Sequence, residues 1–375
     1  MTFSPLNLEG VSYPVEKSIV FLCSQAIFDE RQDHTIKTLL QNSIDWNYIV
    51  AFASRHGVLY LLAHTLNRVV PDLVTGDCLN EIQQNYYSIN RQLSTELSRV
   101  TSLFVAHGIK VISYKGPTLS AMLYNNTPLR VSRDLDFLVH SRDYKKLLAL
   151  LPSYGYEVDY QGWYKSHFLH RIRESNLDVH RNIVPRRYRF MLNFDDLWDR
   201  CTTFKSSELS ISTFCAEDLL LVLCLDLVKD VAKPSELRLI KFVDIRELVC
   251  AKQDLNWDIF RRRARCLKLS RVVSFALRAA DRLYGIPLPP EVRREIDAQR
   301  RLVELVDTAI TLVFVEQYLR PGGYFHELDT ILITQDNFRA KSVVIFYFLL
   351  LAAKLLGSRR AKGPVAVRKR TRFGF

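Results

Sequence analysis

A chain of 375 residues, 48% hydrophobic and 25% charged, is long enough for two or three packed modules and has the composition of a globular protein. Its 13 glycines and 13 prolines are too few for a disordered or loop-heavy all-β chain. The net charge of +12 would suit nucleic acid, but no RNP, zinc-finger or helix-turn-helix signature accompanies it, so a sequence-reading nucleic-acid module is disfavoured.

Met1 to Pro14 is polar, with no basic segment leading into an apolar run, and no secretory signal is expected. The seven cysteines (Cys23, Cys78, Cys201, Cys215, Cys224, Cys250, Cys266) are odd in number and scattered, and none forms a Cys-x-x-Cys. They read as reduced core thiols in a cytoplasmic protein. Residues 1–105 read as an N-terminal helical region. Ile19, Leu22, Cys23, Ala26 and Ile27 recur at helical spacing, as do Ile49, Phe52 and Ala53, with Asp45 as the N-cap. Leu59 and Leu62 continue that pattern past His56. A third helix is predicted from about Leu79 to Ala106. His56 reads as a structural histidine near a helix end, with contact to a substrate cleft as the alternative.

The stretch 109–139 is the most informative. Ile109, Val111 and Ile112 predict a short strand, Gly116-Pro117 breaks it, and Pro117 with Thr118 opens a helix through Tyr124. Arg133 to Val139 predicts a second strand. Alternation along it would put Asp134 and Asp136 on one face, about 6–7 Å apart, with Leu135, Phe137 and Val139 facing a core. Adjacent carboxylates repel unless a cation lies between them, and a hard divalent ion with oxygen ligands suits the arrangement. In Asn176-Leu177-Asp178-Val179-His180 the same alternation puts Asp178 and His180 on the face opposite Leu177 and Val179. Three carboxylates on neighbouring strands meet the needs of two-metal phosphoryl transfer.

Between these strands, Arg142 to Leu151 predicts a helix and Tyr154 to Tyr160 a strand. Trp163 to His170 reads as an aromatic- and histidine-rich loop, able to stack on a base or acceptor or to cover one end of the sheet. Arg171, Arg173, Arg181, Arg186, Arg187 and Arg189 make this half basic, as either a phosphate-attracting surface or a solvated face. From Ala216 the chain returns to helix. Leu219 to Leu225 is apolar all round and therefore expected to be buried. Lys241 and Asp244 lie three apart on one helix face, which predicts an intrahelical ion pair, with a place in an acceptor site as the alternative. Pro287 to Pro290 is a break. The apolar run Val343 to Ala353 is too short to span a membrane and reads as a buried or interfacial helix. After Gly357, Arg359, Arg360, Lys362, Arg368, Lys369, Arg370 and Arg372 stand without an acid and carry seven of the net +12 charges. Much of the basic pI of about 9.3 therefore belongs to a disordered tail that could favour nucleic acid or an anionic membrane.

Several stretches together resemble a known family: Lys115-Gly116, Tyr124, Arg130, Asp134 to Val139, Gly155-Tyr156 and Leu177 to His180. Asp45-Trp46, His56 to Val58, Glu217 to Leu220 and Val243 to Ile245 extend the match over about residues 40–290. The family is that of the uncharacterised bacterial nucleotidyltransferases of the DNA polymerase beta superfamily. The resemblance implies an α+β fold with a small mixed-sheet nucleotidyltransferase core at 106–200, flanked by N-terminal and C-terminal helical regions. The latter comprise a helical substrate-side domain at 201–290 and C-terminal helices at 291–357, with the basic tail at 358–375. It also implies Mg²⁺ or Mn²⁺ as cofactor and an NTP, ATP among the candidates, as co-substrate. Asp134, Asp136 and Asp178 would hold the metal and carry catalysis. Lys115, Gly116, Thr118, Arg130, Arg133 and His180 would bind the nucleotide. The superfamily's turn is usually Gly-Ser or Gly-Gly. Pro117 supplies neither hydroxyl nor N–H there, and Lys115 and Thr118 would have to compensate.

The leading expectation is an enzyme moving an NMP from NTP to a hydroxyl or similar group of a small molecule, peptide or protein. A catalytically degenerate module that binds a nucleotide or a partner protein is the alternative. A nucleic-acid-directed transferase or binder, resting on net charge alone, is third. No Gly-x-Gly-x-x-Gly, P-loop, His-Glu-x-x-His or nucleophile elbow supports another enzyme class.

Overall fold

The computed structural model describes residues 14–345 except 27–29, 73–75, 125–128, 186–187, 189, 191–193, 206–209, 234, 253–254, 315–322, 337–340 and 343. The basic tail, most of the 343–353 run, Arg186, Arg187 and Arg189 lie outside the described residues.

Five helices come first: α1 (Val15–Leu22), α2 (Glu30–Leu39), α3 (Trp46–Arg55), α4 (Leu59–Val69) and α5 (Gly76–Ala106). As expected, the Asp45 carboxylate caps α3, accepting from the Tyr48 N–H at 3.0 Å, and so satisfies one of the free amides of the first turn. The sheet region follows: β1 (Val111–Ser113), α6 (Gly116–Tyr124), β2 (Leu135–Val139), α7 (Tyr144–Leu150), β3 (Glu157–Gln161), β4 (Lys165–His170) and β5 (Ser175–His180). The stretch expected to be an aromatic loop is thus strand β4, paired on both sides and alternating buried and half-buried side chains. Then come α8 (Phe194–Asp199) and a hairpin that the hydrophobic pattern did not foresee, β6 (Thr202–Lys205) with β7 (Ser210–Thr213). The rest is helical: α9 (Ala216–Val231), α10 (Ile240–Ala251), α11 (Trp257–Cys266), α12 (Ser270–Tyr284), α13 (Pro290–Asp297), α14 (Val303–Phe314) and α15 (Gly323–Thr334).

The five strands run in the order β1-β2-β5-β4-β3. Only β2 and β5 are parallel; the other neighbours are antiparallel. Leu135, Phe137, Val139, Leu177 and Val179 point to one face and pack with Leu93, Leu97, Val100 and Phe104 of α5 and Leu147 of α7. The Phe104 and Phe137 rings meet edge to face at 5.4 Å. Burying a side chain of that size stabilises the fold by roughly 1.5–3 kcal/mol, so the apolar face fixes the register of β2, and the register fixes Asp136 on the other face.

That other face looks toward a larger helical core. Ile112, Tyr114 and Leu138 join α1, α3, α4, α9, α10, α12 and α14 in one continuous cluster. Helix α9 is buried all round, as its run of leucines predicts, yet it also buries Asp218, Asp226 and Asp230. At the far side of this core the Lys17 ammonium of α1 donates to the Phe314 carbonyl of α14 at 2.7 Å, and Phe21 stacks on Tyr284. The described cysteines are free thiols: Cys23 and Cys224 are buried, Cys201, Cys215 and Cys250 are half-buried, and Cys266 is exposed. Among the described residues no helix is long and apolar enough to cross a membrane.

Candidate active site

The site begins with a register. Asp136 of β2 lies directly opposite Asp178 of β5, and Leu138 opposite His180, on parallel strands. Asp178 and His180 are two apart, so both side chains share the face of Asp136. Asp136, Asp178 and His180 are all buried, and one ligand atom from each lies within 4.8 Å of the others. His180 Nε2 is 3.0 Å from Asp136 Oδ1 and 3.8 Å from Asp178 Oδ2. At the roughly 5 Å spacing of adjacent strands, two carboxylates repel by about 3 kcal/mol at an effective dielectric near 20. Cations must therefore stand close. Lys165 Nζ, from β4 opposite His180, donates to Asp178 Oδ2 at 2.7 Å. Burial pushes the Asp136 carboxyl up, but the Lys115 charge and the His180 hydrogen bond outweigh it and hold it well below the usual range.

Asp134 departs from expectation. The strand starts at Leu135, so alternation does not reach Asp134, and it stands outside the three-residue group. It is still electrostatically close: burial, and then the charges of Asp136 and Asp178, push its carboxyl up to about 6.

The expected nucleotide ligands separate. Gly116 begins α6 at φ +58°, and a Cβ there would come within 3.1 Å of the Asp134 carbonyl oxygen, so the turn and the approach to β2 both need glycine. Lys115 beside it reaches Asp226 of α9 at 2.8 Å. The Thr118 hydroxyl is fully buried and hydrogen-bonded to Ser113 Oγ at 2.6 Å, which ties it to β1 rather than leaving it toward a phosphate. Arg130 is buried in a bidentate pair with Asp244 of α10, while Arg133 is exposed. Lys241 pairs with Asp226 and Asp230, not with Asp244: burial among helices offers each of the two a better partner than its neighbour one turn away. Arg171 and Arg173 sit in the β4–β5 turn, at the end of the strands away from Asp178, where Arg171 pairs with Glu157 and Arg173 approaches Glu96. His56 is structural, its Nδ1 accepting the Leu239 N–H at 3.2 Å.

Sequence reasoning missed Lys165, because the segment around it read as a loop. It also passed over Asp226, Lys229 and Asp230, whose signal was available as charges inside an otherwise apolar helix.

Two observations bear on a metal. Asp178 Oδ1 and His180 Nδ1 are buried polar atoms without a hydrogen-bond partner, a costly state that a ligand would relieve. Two carboxylates and an imidazole form a mixed oxygen and nitrogen donor set able to hold a divalent metal ion.

No curated protein matches the chain significantly. Among solved structures it is similar to the lincosamide antibiotic adenylyltransferase LnuA in its lincomycin-bound form, at 17% identity and a TM-score of 0.30 over 41% of this chain and 94% of that one. It is also similar to an antigenic nucleotidyltransferase-like protein from Paracoccidioides brasiliensis, at 17% identity and a TM-score of 0.37 over 56% of this chain and 93% of that one. With TM-scores this low, assignment rests on the sequence profile instead. Residues 42–285, well over half of the chain and including every site residue named above, match the profile of one family, and the chain belongs to it: the uncharacterised nucleotidyltransferases.

Proposed function

We propose that this protein transfers a nucleoside monophosphate from an NTP to a hydroxyl or similar group of a small molecule, peptide or protein, in a reaction dependent on Mg²⁺ or Mn²⁺. The observation that carries the reading is the buried, in-register group of Asp136, Asp178 and His180 with two unpartnered polar atoms, in a chain of a nucleotidyltransferase family. These three residues would hold the ion, with Asp134 at its margin. A bound divalent cation would supply charge neutralisation for the phosphates and acidify the attacking hydroxyl.

The chain's own groups do the rest. Asp178 would complete the metal site and, as the carboxylate beside the incoming hydroxyl, accept its proton. The acceptor oxygen forms a bond to the α-phosphorus as the bond from that phosphorus to the β-bridging oxygen breaks, and pyrophosphate leaves with its electron pair. Lys115 and Lys165 hold positive charge beside the reacting centre, where electrostatic stabilisation and positioning account for most of the catalysis in phosphoryl transfer. The α5-facing core keeps both strands rigid beneath the carboxylates.

A second reading has its own support. The buried Thr118 hydroxyl and the paired Arg130 leave the turn at Pro117 with a weak grip on phosphate, as expected of a degenerate module that binds a nucleotide or a partner without turnover. One experiment separates the two. The protein is incubated with each α-labelled NTP, Mg²⁺ or Mn²⁺ and a cell extract, and label is sought on an acceptor. Transfer that is lost in Asp136→Asn supports the enzyme. Metal-dependent NTP binding without transfer supports the degenerate module, and no binding of any NTP overturns both.

A further inference from the structure

A cluster of lysines lies one helix away from the turn at Pro117. Asp226 of α9 accepts from Lys115 at 2.8 Å, from Lys229 on its own helix at 2.6 Å, and from Lys241 of α10. Lys229 and Lys241 also approach Asp230, at 3.6 and 3.2 Å. Three ammonium groups thus share two carboxylates, and their side chains are only 11%, 18% and 16% exposed. A structural ion pair needs one cation per anion, and each further buried ammonium adds a desolvation cost. A surplus of lysines on one carboxylate suits a polyanion instead. The cluster adjoins the candidate metal site: the Lys115 ammonium lies 5.4 Å from the centre of the Tyr114 ring, and that ring meets the His180 ring edge to face at 6.1 Å.

We propose that Lys115, Lys229 and Lys241 form the binding site for the β- and γ-phosphates of the NTP, and that Asp226 holds the three ammonium groups together until the polyphosphate displaces its carboxylate. This rests on the nucleotidyl-transfer reading. It assigns α9 and α10 a role in nucleotide binding and makes Asp226 an internal competitor of the substrate. It also explains why charged side chains are built into a helix that is otherwise apolar all round.

The test uses inorganic tripolyphosphate as the probe, titrated calorimetrically with Mg²⁺ into the full chain. Lys229→Met and Lys241→Met should each weaken binding at least tenfold, Lys241→Arg should retain most of it, and Asp226→Asn should tighten it severalfold. A paired Asp226→Asn/Lys241→Met variant, which removes one charge of each sign, covers the event that a single substitution fails to fold; it should bind more weakly than Asp226→Asn, or more weakly than the parent if Asp226→Asn itself is unfolded. Parent-like affinity in folded lysine variants would overturn the proposal while leaving nucleotidyl transfer standing if label still moves to an acceptor. Absence of tripolyphosphate binding by the parent would also overturn it, and absence of any NTP binding would remove the underlying reading as well.

Discussion

Arg130 grips Asp244 through two parallel hydrogen bonds, Nε to Oδ1 at 2.7 Å and Nη2 to Oδ2 at 3.0 Å, and so joins the approach to β2 to helix α10. Both side chains are more than nine-tenths buried. Removing one partner leaves an uncompensated charge in the core, so Arg130→Met should destabilise the protein by about 3–5 kcal/mol. The double variant Arg130→Met/Asp244→Leu should recover most of that loss. Urea denaturation of the two variants beside the parent checks this, and equal losses in both would show that the cost is not one of a stranded charge.

Gly116 yields a second expectation. Alanine there must adopt φ +58° with its Cβ about as near to the Asp134 carbonyl as 3.1 Å. The left-handed conformation alone costs roughly 1–2 kcal/mol. Gly116→Ala should therefore lower stability by at least that amount. Because the strain falls on Asp134, it should also reduce the rise in melting temperature produced by Mn²⁺. A loss of stability with the metal response unchanged would confine the role of Gly116 to the turn.

The imidazole of His56 predicts a pH dependence. Burial, reinforced by the charges of Arg55, Arg238 and Lys17, pushes it down to about 3. Between that value and the unfolded value near 6.5 the unfolded chain binds the extra proton, so this contribution is complete above pH 6.5 and declines as pH falls. By pH 5 the decline should reach about 2 kcal/mol. Melting curves of the parent and His56→Gln from pH 8 to 5 should converge toward the acid end. Parallel curves would mean that His56 is not the titrating group.

Lys165 should behave as a substitute for a metal. Its ammonium is 2.7 Å from Asp178 Oδ2, and Lys165→Met would leave that carboxylate facing Asp136 with one cation fewer. In EDTA the variant should melt below the parent, by roughly 1–3 kcal/mol of lost stability. Mn²⁺ should stabilise it more than it stabilises the parent. An identical Mn²⁺ response in both proteins would show that Lys165 and the metal do not share Asp178.

The parts of this molecule that local chemistry determines were legible in the sequence. Asp45 could be read as a cap because capping needs only the next three residues, and Asp136, Asp178 and His180 could be placed on one face because alternation is a local property of strands. What was not legible depends on partners far along the chain. Lys115 meets a carboxylate 111 residues away and Arg130 one 114 residues away. No spacing rule announces such pairs, so a lysine and an aspartate three apart on α10 looked like partners when each belongs to another element. Strand β4 was hidden for another reason. Its buried face carries Ser166 and His170 beside Phe168, while Leu169 shares the half-buried face with Lys165 and His167, so the polar–apolar alternation that marks a strand is lost.

The hydrogen bond from Lys17 to the Phe314 carbonyl links residues 297 positions apart. At ribosomal speeds of about 5–20 residues per second, roughly 15–60 s separate the synthesis of the two. Through that interval α3, which packs on α1, is already made, but the Phe314 ring that meets Phe21 edge to face is not. The face of α1 that meets α14 therefore waits through most of synthesis, and a chaperone has that long to act on it.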